Sequence, residues 1–297
     1  MNKIINKGHM GSTIKFLSKE DRILFLKDFY SPCKMNQLFS SWNYKGNYNL
    51  VDIKFKEAIV EELVSKKFVD EKIFCKENYK LEKLHLCLNS DNKSLDESEQ
   101  NKISISFYET SKILSNLYVE FIKNTISPLF DEKIFYQKVP TFRFHFPNQE
   151  GYNWNDRYHT DTMLGHPPYE HNIWVPFTKT FGSNSMRITP YDESIGCIKS
   201  CYDDFEKFAE RTQYDKKFME YLRKNSYSLE MSYGEYIIFD SRCLHCTQYN
   251  DTNETRISMD IRIIRESEIE SYSRSYITTG RKKMPFLPGH YFSNLAV

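Results

Sequence analysis

The chain has 297 residues, with 41 lysines and arginines against 40 aspartates and glutamates, for a formal charge of +1. That length can bury a substantial core, and the balanced charge leaves no basic footprint for nucleic acid. No apolar run is long enough to span a membrane and none reads as a signal peptide, so neither a membrane nor a nucleic-acid partner is expected. Seven cysteines, odd in number and scattered in spacing, suit a reducing cytoplasm better than a disulfide framework.

Residues 1–13 read as a disordered or tag-like tail, in which "GHMGS" resembles a cloning remnant. From 14 to 130 the texture predicts a mostly helical support. "KFKEAIVEELVSKKFV" (Lys54 to Val69) places Ala58, Ile59, Leu63 and Val69 toward one helical face. "CLNSDNKSLDESEQNK" (Cys87 to Lys102) is polar and reads as an exposed loop. Beyond it, Phe107, Ile113, Leu114, Leu117, Phe121 and Ile122 recur at helical spacing until Pro128 closes the pattern.

Residues 131–297 are different. "QKVPTFRFHFP", "HNIWVPFTKT" and "NSMRITP" read as short strands, and "GEYIIFDSRCLHCTQYN" and "TRISMDIRIIRE" are the clearest two. The turn cluster "NDTNE" between the last two predicts that they form a hairpin. Many short strands predict a jelly-roll core, mainly β, with helical support. "YDDFEKFAERTQYDKKFMEYLRKN" (Tyr202 to Asn225) is amphipathic and reads as a helical insertion among the strands. The tail "TTGRKKMPFLPGHYFSNLAV" carries aromatics and prolines that would pack back over the core.

"RYHTDTMLGHPPYEHNIWVP" (Arg157 to Pro176) holds three of the eight histidines. In an extended chain, residues i and i+2 share a face, so His159 and Asp161 can converge on one ion. A third ligand must come from elsewhere, and His245 in "FDSRCLHCTQY" is the best candidate. Two imidazoles and one carboxylate fill one face of an octahedron and leave three positions open, the arrangement of non-haem Fe(II) oxygenases. Eleven residues after His245 stands Arg256, with Ser258 two further on, in "TRIS". A guanidinium fork with a hydroxyl is what a buried carboxylate requires. Arg262 shares the face of Arg256 and is a rival anchor, but its offset from His245 is less favourable.

This ordered pattern of H-x-D, a distal histidine and R-x-S resembles the 2-oxoglutarate/Fe(II)-dependent dioxygenases over about Val139 to Arg265. "YQKVPTFRFHFPNQ" and "YHTDTMLGHPPYEHNIWVPFTKTFGSNSM" resemble the subfamily found in aminoglycoside (streptomycin-type) and bacterial carbohydrate biosynthesis clusters. The resemblance implies a double-stranded β-helix, which is a jelly roll. It implies Fe(II) on His159, Asp161 and His245, 2-oxoglutarate on Arg256 with Ser258, and dioxygen as the oxidant. It also implies a small polar, sugar-like or natural-product substrate. Relatives that halogenate lack the carboxylate, so Asp161 favours hydroxylation or desaturation.

Other residues carry weaker signals. Arg143 and His145 share a strand face with Thr141 and are candidates for substrate or cosubstrate contact. His166, in the loop "GHPPY", is a better pocket candidate than His171. Both also fit structural roles. Trp174 fits a pocket wall or the core, and Asn184 is a candidate hydrogen-bonding group for the cosubstrate. Cys243 and Cys246 bracket His245, but they point to opposite faces and do not supply a four-ligand zinc site. Cys243 is nonetheless expected to border the metal. Two other functions stay open: a protein or peptide hydroxylase on the same scaffold, and a cupin-like metal module without 2-oxoglutarate. A monomer or homodimer fits either.

Overall fold

The computed structural model describes residues 18–70, 72, 74, 80–96, 100–149, 155–275 and 284–295, so the predicted tail lies outside the described residues. Its organising element is the ten-residue strand β9 (Arg256–Arg265). Strand alternation sends Ile257, Met259, Ile261 and Ile263 to one face and Arg256, Ser258, Asp260 and Arg262 to the other. The apolar row joins a buried cluster with Phe55, Ile59 and Leu63 from the helix Phe55–Ser65 and with Phe121 and Ile122. Each such side chain, fully buried, contributes roughly 1.5–3 kcal/mol.

The fold is mainly antiparallel sheet with helices. The large sheet runs β1 (Asn43–Asn47), β7 (Glu235–Asp240), β4 (His171–Pro176), β9, β2 (Ile134–Gln137) and β10 (Phe292–Asn294), and β3 (Thr141–His145) also pairs with β9. A smaller sheet runs β6 (Tyr227–Ser228), β5 (Met186–Ile188) and β8 (His245–Thr247). A bridge between His159 and His245 adds the H-x-D segment to the small sheet's edge. At the outer edge of the large sheet, Gly46 lies against the Tyr236 ring so closely that a Cβ would come within 2.5 Å of it.

Two expectations need correction. β7 and β9 do not form a hairpin, because β4 lies between them and pairs with both. The run "GEYIIFDSRCLHCTQYN" is not one strand either. It breaks at Ser241–Leu244, and β8 crosses to the small sheet, where it pairs with β5. The predicted insertion divides into helices Phe205–Tyr214 and Lys216–Lys224. Asp204 and Asp215 each cap one of them, accepting from the backbone N–H three residues on. Likewise the long helical pattern after Phe107 restarts at Lys112, where the Ser111 hydroxyl accepts from Leu114 N. Residues 278–283 and 296–297 of the C-terminal tail lie outside the described residues, while Phe292–Asn294 pairs with β2.

Candidate metal centre

His159 and His245 are fixed first by backbone. Each donates its N–H to the other's carbonyl, at 3.1 Å from His159 and 2.9 Å from His245. Each imidazole Nδ1 lies within hydrogen-bond distance of a carbonyl two residues upstream, Arg157 O at 2.9 Å and Cys243 O at 3.0 Å. A carbonyl can only accept, so Nδ1 carries the proton and Nε2 keeps the lone pair that a metal needs. The two rings stand with centroids 4.5 Å apart. Desolvation, followed by the neighbouring His245, pushes the pKa of His159 down to about 3, so it is neutral at physiological pH.

Asp161 arrives by a different local device. Thr160 is extended and its hydroxyl accepts from Met163 N, capping the short 3₁₀ turn Asp161–Leu164. Gly165 closes that turn at φ 94°, a left-handed conformation that glycine adopts without strain. The same-face argument therefore holds for the extended step His159–Asp161 but stops there. The Asp161 carboxylate is fully buried. Its Oδ2 accepts from Arg262 Nε at 2.9 Å, while Oδ1 has no hydrogen-bond partner among the described residues and lies 3.7 Å from His245 Nε2. Burial pushes the carboxyl up, but Arg262, with His245 and His166, more than offsets this and holds it well below the usual carboxylate range. One ligand atom from each of His159, Asp161 and His245 lies within 4.8 Å of the other two, and this is the one such group among the described residues. Two imidazoles that turn Nε2 away from their backbone hydrogen bonds, and an ionised carboxylate with an oxygen left over, fit a divalent cation.

The turn that carries His245 is anchored by a group that the sequence did not flag. Arg242 is fully buried, and its fork grips the Asp240 carboxylate at 2.8 and 2.7 Å. The remaining donors reach Phe29 O, Ser31 O and Pro32 O, and the guanidinium stacks over Tyr191. Asp161 N donates to Ser241 O in the same turn. Arg242 thus ties the N-terminal helix Lys19–Phe29 to the loop between β7 and the last ligand.

The three residues sit in the wall of a cavity of about 900 Å³. From β9 it is lined by Arg256, Asp260 and Arg262, and Arg143 of β3 forms an ion pair with Asp260. His166 and Trp174 also line it. His166 Nδ1 is 2.8 Å from the buried Glu170 Oε2, and its ring packs on Phe286. Ser258 does not line this cavity: it is fully buried, opposite Arg143 in register, and its hydroxyl has no hydrogen-bond partner among the described residues.

Several candidates fall elsewhere. His145, opposite Arg256 in register, faces a small separate space shared with Arg256. Asn184 does not line the large cavity: its Oδ1 accepts from Phe181 N at 2.8 Å, and its Nδ2 donates to Lys179 O at 3.4 Å. His171 is fully buried with Nε2 3.6 Å from Glu268, away from the cavity. Cys246, rather than Cys243, borders the cavity. The six described cysteines are all free thiols. Sequence reasoning missed Glu170, Arg242, and the segments around Gln100–Glu109 and Phe286–Tyr291 that complete the cavity wall. Alternation along β9 was the one signal available for Arg262.

No family model matches the chain. The streptomycin biosynthesis protein StrG of Streptomyces griseus is similar to it, 27% identical over 190 residues that cover 64% of this chain and 74% of StrG. Among solved structures, it is similar to EctD from S. alaskensis with bound Fe (12% identity, TM-score 0.46, 80% of this chain and 78% of that one). It is also similar to the non-heme alpha ketoglutarate dependent carbocyclase SnoK from nogalamycin biosynthesis (11% identity, TM-score 0.43, 95% of this chain and 98% of that one). The motif resemblance to the streptomycin-type subfamily and the likeness to StrG agree. No described helix is long and apolar enough to cross a membrane.

Proposed function

We propose that this chain is an Fe(II)/2-oxoglutarate-dependent oxygenase that hydroxylates or desaturates a small polar, sugar-like or natural-product metabolite. The observation that carries the proposal is the convergence of His159, Asp161 and His245 on one wall of a cavity into which β9 also presents Arg256. In this reading the fold is a jelly roll, with the metal ligands on its smaller sheet and the cosubstrate anchor on its larger one.

The residues divide the work. His159 Nε2, His245 Nε2 and Asp161 Oδ1 would hold the iron, because their other polar atoms are already committed to Arg157 O, Cys243 O and Arg262. Arg256 would bind the distal carboxylate of 2-oxoglutarate through charge-assisted hydrogen bonds, and the Ser258 hydroxyl would add one more. Bound iron with 2-oxoglutarate supplies the oxidative chemistry with dioxygen, and the protein's share is position and exclusion of water. Trp174 gives the cavity an apolar wall. His166, held by Glu170, and Arg143, held by Asp260, give it polar contacts suited to a hydroxylated ligand. The StrG likeness supports a substrate of this chemical kind.

The test is succinate formation. Purified protein with Fe(II) and 2-oxoglutarate in air should release succinate slowly even without substrate, and His245→Ala should abolish it. Wild-type protein that loads Fe(II) yet forms no succinate would exclude 2-oxoglutarate chemistry and favour a metal module of another kind.

A further inference from the structure

The two oxygens of Asp161 have different surroundings. Oδ2 receives the Nε–H of Arg262 at 2.9 Å, whereas Oδ1 is buried without a hydrogen-bond partner among the described residues and is the oxygen nearest His245 Nε2. Arg262 is itself over-determined. Strand register sets it opposite Asn172 of β4, and its Nη1 lies 3.4 Å from Gln137 Oε1 on β2. Gln137 is held in turn by Val139 O at 2.7 Å. The guanidinium is thus held at one edge by Asp161 and at the other, through the longer contact, by Gln137 of β2.

We propose that Arg262 is a positioning residue of the metal site, locking Asp161 so that it ligates through Oδ1 alone. This rests on the metal reading given above. A guanidinium on Oδ2 disfavours turning that oxygen toward the metal, so Asp161 would ligate through Oδ1. A one-oxygen ligand leaves three coordination positions open, and a chelating one leaves two. The lock would thus keep on the metal the room that the cosubstrate and oxidant require. Arg262 also neutralises the buried carboxylate, so the ligand set is assembled before a metal enters. The second guanidinium on this face of β9 therefore serves the metal, which leaves Arg256 to serve the cosubstrate.

The probe is Co(II) added anaerobically to the metal-free full chain, read by affinity against a competing chelator and by its visible d–d spectrum. Arg262→Lys keeps a charge near Asp161 but loses the fork that reaches Asp161 and Gln137 together. It should bind Co(II) about tenfold more weakly with an altered spectrum, and Arg262→Gln should approach a hundredfold. A purely structural role would lower the melting temperature of both variants while leaving the Co(II) spectrum of the folded protein unchanged, and that result would overturn the lock. Wild-type affinity and spectrum in Arg262→Lys would overturn it too. Wild-type protein that binds no Co(II) would instead overturn the metal reading and the lock with it.

Discussion

The two ends of the cavity are built on opposite principles. At the metal end each ligand is held by a second contact that is itself held. The histidines rest on the carbonyls of Arg157 and Cys243, and Asp161 rests on Arg262. The turn beneath them is pinned by the buried pair of Arg242 and Asp240. The far wall comes instead from segments distant in the chain, Gln100 to Glu109 and Met284 to Tyr291, with partly exposed or exposed side chains such as Gln100, Tyr108 and Glu109. Chemistry requires a ligand set fixed to within a fraction of an ångström, and recognition tolerates a surface that varies. The metal end should therefore be the same in any chain of this construction, and the far wall should decide the substrate.

Substitutions should separate the ends in proportion to how deeply each residue is tied in. The largest loss is expected at Arg242. Arg242→Met leaves the Asp240 carboxylate buried without its partner and should cost about 3–5 kcal/mol of stability, measured by urea denaturation of the metal-free protein. A loss below about 1 kcal/mol would show that the turn is held by packing alone. Next is Arg256→Ala, which should weaken 2-oxoglutarate binding by about 1.5–3 kcal/mol, roughly ten- to a hundredfold, with Co(II) affinity unchanged. Equal 2-oxoglutarate affinity in that variant would remove Arg256 as the anchor.

A smaller effect lies under the sheet. Burial opposes ionisation of Glu268, but His171 and Arg265 together hold its carboxyl at about 2, below the usual 4.5. A carboxylate depressed in the folded state contributes stability that is fully present above about 4.5 and is lost as pH falls toward 2. Within that window the unfolded chain binds the extra proton, so stability rises with pH. Glu268→Gln should flatten this slope by at most about 1.4 kcal/mol per pH unit, measured by denaturation at pH 3–5. The smallest effect is expected at the far wall. Glu109→Gln, at an exposed position, should change stability by less than about 0.5 kcal/mol and leave Co(II) binding alone, while altering KM for the substrate. A changed Co(II) affinity there would blur the division between the two ends.

The parts that were legible in the sequence are those whose geometry is local. Strand alternation placed Arg256, Ser258 and Arg262 on one face, and the extended step placed His159 beside Asp161. Helical spacing put Ala58, Ile59 and Leu63 in the core. The hairpin reading failed because adjacency in sequence does not specify a partner when a third strand, β4, can insert between two others. The break at Ser241–Leu244 follows the apolar run Tyr236–Phe239 with no glycine or proline to mark it, and a fully buried arginine runs against the ordinary surface habit of that residue, so Arg242 gave no signal. Glu170 and the far wall meet the site only through tertiary packing, which no local periodicity encodes.

The central claim is that His159, Asp161 and His245 hold iron in reach of a 2-oxoglutarate anchored on β9. The most direct measurement is the visible spectrum of the anaerobic full chain titrated with Fe(II) and then with 2-oxoglutarate. The account predicts a weak metal-to-ligand charge-transfer band that appears only when both are present, is absent in His245→Ala, and needs far more 2-oxoglutarate to develop in Arg256→Ala. Wild-type protein that gives no band at saturating Fe(II) and 2-oxoglutarate would contradict it.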